Sequence, residues 1–90
     1  MRWTAVLDEV ARERERQEQL RADGKFAATC ATTDKYEMTD PECLAVLAEE
    51  FGEVARAVCE GMPGNIENTA SLRAELIQVA AVAVAWAERL

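Results

Sequence analysis

The sequence contains no histidine and only three cysteines, Cys30, Cys43 and Cys59. Without histidine, the chain cannot form an imidazole zinc site, a Ser/His/Asp triad or a Cys/His nucleophile. The cysteines are odd in number and show no CxxC spacing, so we expect neither a disulfide framework nor a thiolate metal site. The side chains that remain for metal binding or catalysis are mainly carboxylates.

Basic residues are also scarce, because ten Lys+Arg stand against 17 Asp+Glu, which gives a formal net charge of −7. A nucleic-acid binder or a polybasic membrane anchor needs a basic surface, so we expect no nucleic-acid partner and no membrane partner. The negative charge is concentrated, since residues 49–67 contain one base, Arg56, against five acids.

The length of 90 residues allows a single domain over 1–90, and the hydrophobic share of 50% is typical of a globular chain. Met1 leads directly into a charged, amphipathic stretch without the pattern of a signal peptide. Free cysteines are typical of a reducing compartment, so we expect a cytoplasmic protein.

Apolar spacing predicts three helices and an all-α fold. The first helix covers 2–22, with Gly24 as its C-terminal cap, and the second covers about 41–60. The third begins with a cap at Asn68, Thr69 or Ser71 and continues to the C-terminus.

The segments between the helices carry turn and cap signals. Residues 25–39 lack periodicity and are long for a connector, which is typical of a functional loop. Thr39 and Glu42 form a predicted capping box at the start of the second helix. Gly61 ends that helix, and residues 62–65 form a turn.

The first two helices each carry a predicted apolar stripe. The stripe of the first helix is Trp3, Val6, Leu7, Val10, Gln17 and Leu20, and that of the second is Leu44, Leu47, Phe51, Val54 or Ala55, and Val58. The charged run from Arg12 to Arg16 is interpreted as a solvated surface with pairs such as Glu13 with Arg16.

The third helix is apolar on all sides, since Gln78 is the one polar residue of the twelve from Leu76 to Ala87. Twelve residues are too few to cross a bilayer, which needs about 20. A helix of this kind must be covered on several sides. We therefore predict an antiparallel bundle of three helices per chain, completed by dimerisation through this C-terminal helix. A lone three-helix bundle is the alternative.

Three acids of the second helix, Glu49, Glu50 and Glu53, share one arc about 100° wide beside the apolar stripe. Like charges at this spacing repel each other unless a cation neutralises them. On the third helix, Glu75 and Gln78 share a face and would lie opposite the arc in an antiparallel pair. Oxygen ligands suit Mg²⁺, with Mn²⁺ as the alternative, and such a cation assists phosphoanhydride hydrolysis.

Three segments carry a resemblance to a known family: LAEEFGEVA at 47–55, LRAELIQVA at 72–80 and ERERQ at 13–17. They resemble the short, phage-type members of the MazG-like all-α nucleoside triphosphate pyrophosphohydrolases, whose signature is E-E-x-x-E on one helix and E-x-x-D on the next. The resemblance implies that Glu49, Glu50, Glu53 and Glu75 are Mg²⁺ ligands or their neighbours. It also implies cleavage of a nucleoside triphosphate to the monophosphate and pyrophosphate, by a dimer or tetramer.

Gln78 stands where the family signature has its final Asp. An amide oxygen can ligate a hard cation, but it carries no charge and cannot act as a base. The exchange therefore either weakens metal affinity or moves water activation to another carboxylate, Glu49 or Glu53. A nucleotide-binding dimer with weak or no catalysis is the alternative function, and an acidic interaction surface is a third. For Gln78 itself, the alternative is a polar residue hydrogen-bonded inside the bundle.

Substrate phosphates need positive charge as well as a metal. The candidates are Arg16 and Lys25, with Lys35 and Arg73 as alternatives. Gln17 has the donor and acceptor groups needed to read the edge of a base. Aromatic residues that could stack on a base are Phe26, Tyr36 and Trp3, although an aromatic residue of this kind is more often part of the core.

Overall fold

The computed structural model describes the backbone of residues 1–60 and 68–90 and the side chains of residues 1–60 and 72–90. It contains three helices, α1 Arg2–Ala22, α2 Asp40–Glu60 and α3 Asn68–Glu88. No strand occurs within the described ranges. The predicted all-α bundle of three helices is therefore confirmed, with α2 beginning one residue earlier than expected.

The predicted caps around the first connection are present. Gly24 follows α1 with a φ of 77°, and its amide donates to the carbonyl of Arg21 at 3.0 Å. Thr39 and Glu42 form the capping box: the Thr39 amide donates to Glu42 Oε1 at 2.9 Å, and the Glu42 amide donates to Thr39 Oγ1 at 3.2 Å. The predictions for residues 61–65 and for the side-chain cap of α3 lie outside the described residues.

Helix α3 lies between the other two helices. It packs against both α1 and α2, whereas α1 and α2 make no comparable contact with each other in the described part of the chain. The helices α2 and α3 are antiparallel, because Asp40 at the start of α2 accepts a hydrogen bond from Trp86 near the end of α3. This central position explains why α3 is apolar on several sides.

The core cluster lies near the C-terminal end of α3 and includes the first connecting segment. Its buried members are Cys30, Cys43, Val82 and Ala85. Half-buried side chains packed against this cluster are Ala31, Met38, Val46, Leu47 and Trp86. Residues 25–39 therefore contribute to the core of the protein as well as connecting α1 to α2.

The predicted apolar stripe of α2 is only partly correct. Leu44, Phe51 and Val58 are exposed in the chain, Phe51 to 65%. The buried positions of α2 are Cys43 and Ala57, whose side chains are small. Small residues at the contact allow α2 to approach α3 closely, and the larger apolar side chains then face outward.

The stripe of α1 is also partly wrong, since Trp3 and Leu7 are exposed while Val10 is buried. The interpretation of the charged run as a solvated surface fails at Glu13 and Arg14, whose side chains are each 9% exposed. The predicted pair of Glu13 with Arg16 is present at 2.6 Å. No helix in residues 1–60 or 68–90 is long and apolar enough to cross a membrane.

Candidate functional site

Two glutamates from adjacent helices, Glu50 on α2 and Glu75 on α3, carry unpartnered oxygens. Both residues are half-buried, and the Oε2 atom of each is buried without a hydrogen-bond partner among the described residues. A buried carboxylate oxygen without a donor is destabilising, so we expect a partner such as a proton, a water molecule or a cation at each of these atoms. The antiparallel arrangement of α2 and α3 brings the two residues to the same level of the bundle.

The pKa of Glu50 is raised above its usual value, chiefly because burial disfavours the charged carboxylate. The negative charges of Glu75, Glu49 and Glu53 raise it further, in that order. A fifth acid, Glu13 on α1, adds to the same effect. Four predicted acids are therefore close enough to interact electrostatically, and the structure adds Glu13 to them.

Glu13 was missed by the sequence reasoning, which assigned it to a solvated surface. Both of its carboxylate oxygens accept from Arg16 Nε at 2.8 Å. The signal that points to it is its place at the start of the ERERQ segment.

Among the described residues, the other predicted ligands have no buried, unpartnered side-chain oxygen. Glu49 is exposed, and the half-buried Glu53 lies 3.9 Å from Arg56. Across the described ranges, no group of three or more acidic or cysteine side chains has an arrangement that could hold a metal ion. Carboxylate oxygens are ligands that Mg²⁺ and Mn²⁺ prefer, but a cation at Glu50 and Glu75 stays a prediction, as does the wider ligand set of Glu49, Glu53 and Gln78.

A cavity of about 280 Å³ opens beside Glu50. The walls come from all three helices and from the first connecting segment, and they are mostly apolar. The lining residues are Arg16, Gln17, Phe26, Ala28, Thr29, Cys30, Met38, Val46, Glu50, Gln78, Val82 and Ala85. A concave, mainly apolar space with a few polar groups is typical of a small-molecule site.

Only some of the predicted substrate-binding residues line the cavity. Arg16 and Gln17 line the cavity, and so does Phe26. Lys25 is exposed and does not line it. Tyr36 and Trp3 are exposed as well and lie outside the cavity wall.

An open groove between α1 and α3 adjoins the cavity, because Arg16 and Gln78 line both spaces. The groove is lined by Glu9, Arg12, Glu13, Arg16, Arg73, Ala74, Ile77 and Gln78. Arg73 forms an ion pair with Glu9 across the two helices. Arg73, one of the alternative phosphate-binding residues, therefore lies in the groove. Arg12 lies there as well, and the sequence reasoning did not select it.

Hydrogen bonds fix the connecting segment where it forms the cavity wall. Thr29 Oγ1 donates to Glu18 Oε2 at 2.8 Å, and the Thr29 amide donates to Thr32 Oγ1 at 2.9 Å. Arg89 at the end of the chain donates to the carbonyl of Met38. These contacts hold the segment against α1 and α3, so the wall is built into the fold.

Comparison of the chain with protein-family models, with curated proteins and with solved structures finds no match. The resemblance to the MazG-like family therefore depends on the three quoted segments alone. Two features of the molecule bear on function independently of it: the unpartnered oxygens of Glu50 and Glu75, and the cavity that Glu50 lines.

Proposed function

We propose that the protein is a Mg²⁺-dependent nucleotide pyrophosphohydrolase that cleaves a nucleoside or deoxynucleoside triphosphate to the monophosphate and pyrophosphate. The observation that carries this proposal is the pair of buried, unpartnered oxygens on Glu50 and Glu75. Two carboxylates that repel each other in a half-buried site are stabilised by a divalent cation. The resemblance of segments 47–55 and 72–80 to the pyrophosphohydrolase signature supports the same function.

In this proposal Glu50 and Glu75 hold the cation, and Glu49, Glu53 and Gln78 complete the site. When bound, Mg²⁺ or Mn²⁺ polarises a phosphoryl oxygen and lowers the pKa of a coordinated water. Glu49 or Glu53 accepts the proton of the attacking water. The water oxygen forms a bond to the α-phosphorus, the bond from that phosphorus to the α,β-bridging oxygen breaks, and pyrophosphate leaves.

In this proposal the cavity and the groove bind different parts of the substrate. The apolar cavity receives the base, and the adjoining groove with Arg16 and Arg73 receives the phosphates. Lys25 lies outside both spaces. We therefore assign the phosphate-binding role to the arginines of the groove.

The test is a panel of nucleoside triphosphates with Mg²⁺ or Mn²⁺, read out as pyrophosphate release. Glu50→Gln and Glu75→Gln are each expected to lower the rate by at least about 100-fold, since even indirect supports of a metal site cost 10–100-fold. Glu15→Gln, which removes an exposed acid from α1, is the matched control and should keep the rate. Absence of turnover with every triphosphate would remove the enzymatic proposal.

The second candidate function is a non-catalytic or weakly catalytic nucleotide-binding protein. Gln78 favours it, because this residue lines both the cavity and the groove yet can neither neutralise a cation nor accept a proton from water. Calorimetry that shows nucleotide binding without hydrolysis selects this function. A large gain of turnover in Gln78→Asp would identify a weakened catalyst, whereas equal turnover would mean that the amide belongs to a working site.

We further propose that the protein is a cytoplasmic homodimer or homotetramer. Three exposed apolar residues of α2, Leu44, Phe51 and Val58, recur every seven residues, the spacing of a helix–helix seam. Leu76 and Val84 of α3 are exposed as well. The expected interface on the C-terminal helix thus extends to α2. The cytoplasmic location is supported by the free thiols of the three cysteines.

A further inference from the structure

Arg14 is a buried arginine at the middle of α1, with 7% of the residue exposed. Its guanidinium donates from Nε to Glu88 Oε1 at 3.1 Å and from Nη2 to Glu88 Oε2 at 2.9 Å. The same Nη2 lies 2.8 Å from Glu18 Oε2. The remaining nitrogen, Nη1, donates to Gln17 Oε1 at 3.0 Å. Four contacts therefore fix the plane of the guanidinium.

The contact with Arg14 determines which end of the Gln17 amide is free. Arginine has donors only, so the atom of Gln17 that faces it must be the carbonyl oxygen. The Gln17 oxygen is thereby occupied, and the amide nitrogen with its two N–H groups points elsewhere. Gln17 also lines the cavity, so these N–H groups are the free polar groups that its side chain can offer to a ligand there.

The rest of the cavity wall is mainly apolar, so a hydrogen-bond donor from Gln17 would be important for orienting a ligand. Phe26, Met38, Val46 and Val82 line it with apolar surface, which fits the faces of a planar ring but cannot orient the ring. In such pockets a small number of fixed polar groups sets the orientation and the specificity of the ligand. A pocket group that requires a partner also discriminates strongly against an analogue that lacks it.

We propose that Gln17 is a specificity-determining residue that selects bases with a carbonyl oxygen on the edge facing α1, and that Arg14 is the residue that positions it. The ligand class is a nucleotide with a keto base, such as uracil, thymine, guanine or hypoxanthine. This inference rests on the proposed function, in which the cavity receives the base. An amino base would turn N–H groups towards N–H groups and leave both without acceptors.

The experiment compares pairs of ligands that differ in the keto or amino group and in the protonation of the adjacent ring nitrogen. Isothermal calorimetry is run with the non-hydrolysable α,β-methylene analogues of UTP and CTP, and of ITP and ATP, in the presence of Mg²⁺. The wild type is expected to bind the keto member of each pair about 10- to 100-fold more tightly, the range that an unpaired buried donor implies. The ratio of the two dissociation constants is the readout.

Gln17→Glu is the decisive variant. One of its oxygens still accepts from Arg14, and the other presents an acceptor to the cavity, so the preference should reverse towards the amino member. Gln19→Glu makes the same change of charge at an exposed position of α1 and should keep the wild-type ratio. Arg14→Met should bring the ratio close to one, and Arg14→Lys, which keeps a donor, should restore part of it. A merely structural role of Arg14 would weaken both members equally.

The outcomes separate this inference from the function on which it rests. If nucleotide analogues bind but the wild type shows no keto preference, or Gln17→Glu does not change it, the inference is overturned and the proposed function stands. If folded protein binds no nucleotide at all, both are overturned. Circular dichroism establishes that each variant is folded before its ratio is measured.

Discussion

Arg14 and Glu88 are 74 residues apart in the sequence, yet two hydrogen bonds of 3.1 and 2.9 Å join their side chains. The pair ties the middle of α1 to the last residue of α3. Bidentate, charge-assisted hydrogen bonds of this kind are stronger than neutral hydrogen bonds, and they also fix the relative orientation of the two side chains. Trp3 and Leu7 of α1 are exposed, so this polar contact adds to the packing of Val10 in holding α1 against α3.

We predict that the stability of the fold falls at acid pH through Glu88. The bond to Arg14 holds the pKa of Glu88 below its usual value in the folded state. Its contribution is therefore present above the unfolded pKa and is lost as the pH falls through the lowered folded pKa. Glu88 is 47% exposed, so we expect Glu88→Gln to cost about 1 kcal/mol at neutral pH after allowance for screening by solvent.

The measurement is urea unfolding of wild type and Glu88→Gln from neutral to acid pH. The two curves of unfolding free energy against pH should converge at low pH. Glu15→Gln, at an exposed position of the same helix as Arg14, should follow the wild type. A constant difference between wild type and Glu88→Gln over the whole range would contradict the prediction.

Removal of one charge from the Glu50–Glu75 pair should stabilise the metal-free protein. Burial, the charge of Glu75 and the charges of three further acids raise the pKa of Glu50. Its ionised form is therefore destabilising at neutral pH. Glu50→Gln keeps the shape and removes the charge, and its melting temperature in EDTA should exceed that of the wild type. Added Mg²⁺ should give the wild type the higher melting temperature of the two. Binding of Mg²⁺ at a concentration 100 times its dissociation constant raises the free energy of unfolding by about 2.7 kcal/mol, and only the wild type has the site.

Differential scanning fluorimetry with and without Mg²⁺ checks this prediction. Glu37→Gln removes an exposed acid from the connecting segment and should respond to Mg²⁺ as the wild type does. A wild type that melts at the same temperature in EDTA and in saturating Mg²⁺ would show that the pair holds no cation.

The exposed apolar residues of α2 should govern the oligomeric state. Phe51 is 65% exposed and stands between Leu44 and Val58, one heptad from each. Phe51→Glu places a charge in this seam and should convert the proposed dimer or tetramer into a helical monomer. Light scattering after size exclusion gives the mass, with Thr33→Glu, an exposed change in the connecting segment, as the control. A wild type that is monomeric throughout would refute the assembly.

The three cysteines should differ in reactivity. Cys59 is exposed, whereas Cys30 and Cys43 are buried. Burial, together with the neighbouring Cys43 thiol, raises the pKa of Cys30 to about 12, so the reactive thiolate is scarce at neutral pH. Titration with a thiol reagent should modify one cysteine rapidly in the native protein and all three after unfolding. Cys59→Ser should abolish the rapid phase, and a second rapid phase in native protein would contradict the assignment.

The sequence by itself determined the three helices and the caps of the first connection. These features are local: apolar spacing extends over a few turns, and the bonds of Gly24 and of Thr39 with Glu42 close within a few residues. The acidic arc of α2 was equally predictable, because helix geometry alone places Glu49, Glu50 and Glu53 on one side. The proximity of Glu75 followed from the antiparallel pairing of α2 and α3.

Only the tertiary structure decided which face of each helix is covered. Hydrophobicity favoured Phe51 as a core residue, but the small side chains of Cys43 and Ala57 permit the closer packing, and Phe51 is exposed. Contacts between residues far apart in the sequence could not be predicted from local sequence patterns either. Arg14 looks like a surface residue until Glu88 of α3 lies opposite it, and that contact fixes the orientation of Gln17 in the cavity. Periodicity identifies helices, whereas the choice among their faces depends on side-chain volume and on partners that fold back from elsewhere in the chain.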